Sequence, residues 1–271
     1  MSDLRQVTER IEREELARGH IAPGATPVVP RPAATIVLAW PEPGTTTYRV
    51  LLLKRPDAAR FAAGAYVFAG GVIDEDDGTP EALRLLPPDL RQPEGPAAVA
   101  ALRELFEETG FLIADRPVNA ERATRIRASL LRGELGFAEA AAELGATFHD
   151  VRAAYLSRWV TPARFARRYD TRFFLTILDA ETPPDPELTQ ELVGHVWITP
   201  AEAVRAFAAA ELPMLFPTRS TLQQLAEETD IGALLTSCRD SEPEAVEPRL
   251  VVRGESVRPV LPGDSEYDEA E

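Results

Sequence analysis

The chain has 271 residues, of which 45% are hydrophobic and 27% charged, the make-up of a globular protein with one large domain or two small ones. A formal net charge of −15 argues against nucleic acid or an anionic membrane as partner, because both need clustered Lys and Arg. It leaves room for an anionic small substrate, since a divalent cation inverts the local sign.

In chain order, residues 4–18 read as a helix, followed by the proline-rich connector "APGATPVVPRP", so 1–32 is expected to precede the main domain. "ATIVLAW" (34–40) and "YRVLLLKR" (48–55) are nearly continuous apolar runs joined by a turn, which predicts two strands inside a sheet. "AYVFAGGV" is a short strand ending at the pair Gly70–Gly71, and a polar, proline-bearing excursion follows. Pro96 opens a helix that Gly110 stops.

Residues 119–157 are Ala-, Leu- and Arg-rich and predict a helical insertion. "TRFFLTILDA" (171–180) and "HVWITP" (195–200) return to strand, and "PAEAVRAFAAAEL" and "RSTLQQLAEETDIGALL" predict two more helices. "RLVVRGESVRPVL" suggests a last hairpin, and the acidic tail from 236 to 271 is expected to be partly disordered. Strands mixed with helices indicate a compact α/β or α+β domain over 33–235. No apolar run reaches membrane-spanning length, and the N-terminus is charged throughout, unlike a signal peptide. The one cysteine, Cys238, cannot form an internal disulfide, so a reducing, cytoplasmic location is expected. His20, His149 and His195 are too scattered for a zinc site.

The informative stretch is "RELFEETGF", Arg103 to Phe111. On a helix Glu104, Glu107 and Glu108 fall at i, i+3 and i+4, and like charges at that spacing repel. A hard divalent cation removes the penalty, and Arg103, four residues before Glu107, can hold one carboxylate in place. An acidic triplet alone is more often a solvated face. "QQLAEETDI" (223–231) has a similar shape and reads as an ordinary helix end.

Arg103, Glu104, Leu105, Glu107, Glu108, Gly110 and Phe111 satisfy the pattern R-E-U-x-E-E-x-G-U, in which U is apolar. Together with the upstream glycine pair this resembles the signature of the Nudix hydrolase family. Two departures stand out: Asp77 replaces the glutamate of that signature, and 25 residues (78–102) separate it from Arg103 where the signature has seven. The segment 51–71, with Arg55, Arg60, Gly64, Phe68, Gly70 and Gly71, is similar to the region preceding the signature in coenzyme A diphosphatases. "RYDTRFFLTIL" and "HVWITPAEA" resemble the larger Nudix enzymes that include acyl-CoA hydrolases.

The resemblance implies an α/β/α sandwich with a mixed sheet, and hydrolysis of a nucleoside diphosphate linked to another moiety. It implies Mg²⁺ or Mn²⁺ held by Glu107 and Glu108, with the Gly70 carbonyl beside them and Glu104 as ligand or general base. Arg103 is counted with the catalytic group. A further glutamate on a later loop is expected: Glu191, with Glu187 as the alternate. Arg55, Arg60, Arg168 and Arg172 are the candidate contacts to substrate phosphates. Trp197 reads as core and His195 as a strand residue. CoA or acyl-CoA is one substrate reading, ADP-ribose, NADH or another nucleotide a second, and a catalytically silent ligand-sensing or protein-binding domain a third. Whether the chain is a monomer or a homodimer stays open.

Overall fold

A computed structural model describes residues 13, 26–59, 62–91, 93–239, 242–254 and 256–270. The helix expected over 4–18 lies, but for Arg13, outside these residues.

Eight strands form one mixed sheet: β1 (Arg31–Pro41), β2 (Tyr48–Lys54), β3 (Tyr66–Val67), β4 (Ala69–Val72), β5 (Ala153–Val160), β6 (Tyr169–Ile177), β7 (Gly194–Ile198) and β8 (Ala245–Val246). β9 (Arg249–Arg253) and β10 (Ser256–Val260) make a separate antiparallel hairpin. Among the described residues the helices are α1 (Pro80–Arg84), α2 (Gly95–Thr109), α3 (Ala120–Leu131), α4 (Phe137–Leu144), α5 (Pro200–Ala208), α6 (Phe216–Ala226) and α7 (Ile231–Arg239).

β1 lies at the centre and explains its own apolar run. Side chains alternate across a strand, so Ala34, Ile36 and Leu38 pack with α1 to α4 on one face, while Val37 and Ala39 pack with α5 to α7 on the other. Both faces are covered, and the result is the α/β/α sandwich that the family resemblance implied. No described helix is long and apolar enough to cross a membrane.

One edge of β1 is paired in parallel with β6 along its whole length, from Arg31↔Tyr169 to Ala39↔Ile177. Along the other edge β1 and β2 stay together only from Ala39 to Pro41, opposite Val50 to Tyr48. Beyond that point they diverge. β3 takes the freed edge of β2 and β4 takes the freed edge of β1, with Thr35 opposite Gly70 and Ala34 opposite Gly71. The glycine pair is thereby held in the sheet, directly beneath α2.

The helix–strand order differs from expectation in two places. Residues 153–157, expected in the helical insertion, open β5; Tyr155 stacks on Phe174 of the neighbouring strand at 5.4 Å, a cross-strand pairing that outweighs the local Ala-rich composition. The helix expected from Arg219 onward breaks at the acidic look-alike. α6 ends at Ala226, and Asp230 Oδ1 accepts from the Gly232 and Ala233 N–H groups (2.9 and 3.0 Å), capping α7. The predicted hairpin forms, and the Arg249 guanidinium lies 4.5 Å over the Tyr267 ring.

Candidate active site

α2 is fixed before its carboxylates do anything. Pro96 occupies its first turn, Leu105 and Phe106 are buried to 1% exposure, and Gly110 ends it in the left-handed region at φ 78°. Burying those two side chains contributes roughly 1.5–3 kcal/mol each. Any other residue at Gly110 would strain the backbone and press its Cβ to 3.4 Å from the Glu187 Cβ.

On the face of this helix turned toward the glycine pair and Asp77, Arg103 is the organiser. It is only 7% exposed. Its Nε and Nη2 donate to the two oxygens of Asp77 at 2.9 and 3.0 Å, and Nη2 also reaches the Val72 carbonyl at 2.9 Å. Its Nη1 donates to Glu104 at 2.9 Å and to Glu107 at 3.2 Å. Asp77, 1% exposed, is therefore the buried counter-ion that orients Arg103, and the Asp74 N–H supports it at 2.8 Å. The 25-residue separation (78–102) does not disrupt the pair, because the excursion returns through α1 to the start of α2.

Each glycine of the pair has a steric reason. A Cβ on Gly71 would run into the Glu104 carboxylate, and a Cβ on Gly70 would meet the Ala34 carbonyl oxygen at 2.5 Å. The Gly70 N–H donates to Glu108 at 3.2 Å.

Gly70, Gly71, Glu104 and Glu108 open onto a cleft of about 420 Å³, which Arg55 and Glu191 also line. Thus four of the carboxylate and backbone groups singled out in the sequence share one cavity with one of the predicted arginines. Glu107 does not line it and is tied to Arg103. Glu187, the alternate to Glu191, also lies away from the cleft, with its side chain 61% exposed.

Two of the arginines read as phosphate contacts lie outside the cleft lining. Arg168 is buried and donates to the Thr161 carbonyl (2.9 Å), the Val28 carbonyl (2.8 Å) and Glu247 (2.6 Å). Arg172 is paired with Glu94 and Asp170 at 2.8 and 2.9 Å. Neither lines the cleft, because both guanidinium groups are spent on joining segments of the chain. Arg60 lies outside the described residues. His195 pairs with Leu53 in the sheet, and the Trp197 indole donates to the Pro184 carbonyl at 2.9 Å, so both hold the structural places expected of them.

The profile of the NUDT19 Nudix domain matches residues 96–225. Human acyl-coenzyme A diphosphatase NUDT19 is 29% identical, over 88% of this chain and 80% of its own length. Putative nudix hydrolase 7 of Caenorhabditis elegans is also 29% identical, over 88% of this chain and 74% of its own. A solved NUDIX hydrolase from Alicyclobacillus acidocaldarius superposes with a TM-score of 0.65 at 28% identity, covering 77% of this chain and 96% of that one. In sequence and in fold the chain is similar to Nudix hydrolases.

The carboxylates of the acidic helix carry an electrostatic load that Arg103 and Arg55 oppose only in part. Burial, with Glu104 close by, pushes the Glu108 carboxyl up to about 8, against a weaker pull from the Gly70 N–H and Arg55. Burial likewise pushes Glu107 up to about 7 and raises Glu104, although Arg103 opposes both shifts. Among the described residues no three His, Cys, Asp or Glu side chains converge tightly enough to enclose a metal ion. The donor chemistry nevertheless fits a hard divalent cation: buried carboxylates on one wall of a cleft, repelling one another, with a further glutamate opposite.

Sequence reasoning missed Arg127, on α3. This arginine, 7% exposed, donates through Nε and Nη2 to the Glu107 carbonyl at 3.1 and 2.7 Å, and through Nη2 to the Glu187 carbonyl at 2.5 Å. It therefore caps the C-terminal end of α2 and ties it to the loop that carries Glu191. Its signal was hidden, because one arginine in an Arg-rich helix looks like surface.

Proposed function

We propose that this chain hydrolyses the diphosphate bond of a nucleoside diphosphate linked to another moiety, with CoA or acyl-CoA as its substrate, in a reaction dependent on Mg²⁺ or Mn²⁺. The observation that carries the reading is the shared cleft, where Glu104, Glu108, Glu191 and Gly70 face Arg55. The curated NUDT19 relatives, named acyl-coenzyme A diphosphatases, supply the substrate class.

The assignment of roles follows from placement. Glu104 and Glu108, with the Gly70 carbonyl and Glu191, would hold the cation. Glu107 supports the set through Arg103. A bound divalent cation would screen the anionic substrate from the carboxylates and polarise the scissile phosphoryl group. Arg103, locked by Asp77, keeps Glu104 in its rotamer at no reorganisation cost during the reaction. Arg55, whose charge already acts on Glu108, is positioned to meet a phosphate oxygen at the cleft wall. Glu104 or Glu191 would take the proton from the attacking water; burial raises the Glu104 carboxyl above its ordinary value, which makes it the stronger proton acceptor.

The test is hydrolysis of CoA, hexanoyl-CoA, ADP-ribose, NADH and a dinucleoside polyphosphate, each with Mg²⁺, Mn²⁺ and chelator. Cation-dependent release of 3′,5′-ADP and an acyl-phosphopantetheine supports the reading. Turnover confined to ADP-ribose or NADH assigns the other nucleotide class, and no turnover with any substrate leaves a ligand-sensing domain.

A further inference from the structure

The cleft has two chemically different halves, and the second is completed by chain that lies C-terminal to the family-matching residues 96–225. β8 joins the edge of the main sheet, with Arg158↔Ala245 and Trp159↔Val246 in parallel register. The β9–β10 hairpin packs Leu250 and Val257 against Phe165. Arg168 fastens this arrangement through Val28, Thr161 and Glu247, and the Tyr267 hydroxyl donates to the Glu247 carbonyl at 2.9 Å. These ties bring Pro248 and Pro259 into the cleft, where they line it together with Trp159, Phe165, Phe216 and Pro217.

We propose that this C-terminal segment completes a subsite for the uncharged, chain-like arm of the substrate, the pantetheine and the first carbons of an attached acyl group. The proposal rests on the CoA-type reading above and adds the structural element that selects the arm. Pro162, Pro217, Pro248, Pro259, Trp159, Phe165 and Phe216 make this wall largely apolar. Among the described residues, every charged one lining the cavity, namely Arg55, Glu104, Glu108 and Glu191, belongs to the metal-and-phosphate half. Two polar groups of this half are already engaged within the protein: the Trp159 indole N–H donates to Ser157 Oγ at 3.2 Å, and the Thr161 hydroxyl is shared with the Tyr169 backbone. An apolar chain gains affinity here simply by leaving water, about fourfold for each methylene buried.

The test uses S-hexanoyl-pantetheine, which has no phosphate, titrated calorimetrically into the full-length protein without metal. The expected result is binding to the unaltered protein that weakens about tenfold or more in Pro259→Asp and in Pro248→Asp, because each places a charge against the arm. Both variants should keep their rate on ADP-ribose, or their Mn²⁺ affinity if ADP-ribose is not cleaved, within about twofold. Should Pro259→Asp fail to fold, Pro248→Asp and the milder Pro259→Ser carry the comparison. Absence of probe binding, or unaltered binding in the folded variants, overturns the subsite while leaving hydrolysis intact. Probe binding by a protein that never cleaves CoA overturns the proposed activity instead.

Discussion

Replacing Asp77 with Asn keeps the side-chain shape and removes the charge that orients Arg103. Asp77 is 1% exposed and accepts from Arg103 Nε, Arg103 Nη2 and the Asp74 N–H. An amide has one acceptor oxygen and an NH₂ group, so at least one of those donors would face another donor. Breaking a buried ion pair from one side costs about 3–5 kcal/mol. Arg103 keeps Glu104, Glu107 and the Val72 carbonyl, which places the expected loss at the lower end, about 3 kcal/mol. For a chain of this size that lowers Tm by roughly 6–12 °C. Guanidinium unfolding of both proteins measures it, with Asp74→Asn as the control. Asp74 lies 3.6 Å from Arg103 with its side chain 66% exposed, so its loss should cost under about 0.5 kcal/mol. A loss below about 1 kcal/mol in Asp77→Asn would refute the view that this buried pair, rather than the helix itself, organises the box.

Glu108→Gln should lower the hydrolytic rate by about 10²-fold or more with little effect on folding, and Glu107→Gln should do so less, since Glu107 acts through Arg103. Glu227→Gln and Glu228→Gln, at the α6–α7 junction, should leave the rate unchanged in the same assay. Arg127→Met should weaken Mn²⁺ binding several-fold by electron paramagnetic resonance, yet add little in a Glu191→Gln background, because both changes act on one loop; additive losses would show that Arg127 is merely a cap. The pH dependence has a definite sign. Glu107 and Glu108 hold folded-state pKa values of about 7 and about 8, above the ordinary value of 4.5, so the native state binds more protons and loses stability as pH rises through that window. Calorimetric melting without metal should therefore give a higher Tm at pH 6 than at pH 8.5, and saturating Mn²⁺ should raise Tm more at pH 8.5. A metal-free Tm that climbs with pH over this range contradicts the burial argument.

Much of this was legible in residues that obey local rules. The apolar runs of β1 and β2, Pro96 and Gly110 at the ends of α2, and the helical spacing of Glu104, Glu107 and Glu108 each have one reading once a sheet and a helix are granted. The two-sided burial of β1 follows from its lack of polar alternation. What was not legible depends on long-range partners. Ala153–Val160 follows Ala-rich helices without a clear local break, and its strand is set by pairing with the neighbouring Asp170–Thr176. Arg127, Arg168 and Arg172 are one residue type in three structural roles, and the partners of each lie far along the chain. The cleft wall at Pro248 and Pro259 was hidden for the same reason, since acidic, proline-bearing composition resembles a solvated tail.

The Asp77–Arg103 pair also bears on how relatives of this chain are to be found. Lengthening a closed loop from seven residues to 25 costs only about 1 kcal/mol of chain entropy, less than the pair returns. Selection can therefore hold the two side chains together while leaving the length of chain between them almost free to drift. A pattern that demands fixed spacing would pass over such sequences, even with every interacting residue in place. The separable unit is the acid after the glycine pair and the acidic helix, each recognisable by itself and joined by a segment of arbitrary length. Homologues with still longer excursions at this point should keep both halves, and the excursion is where new surface can be added without disturbing the cleft.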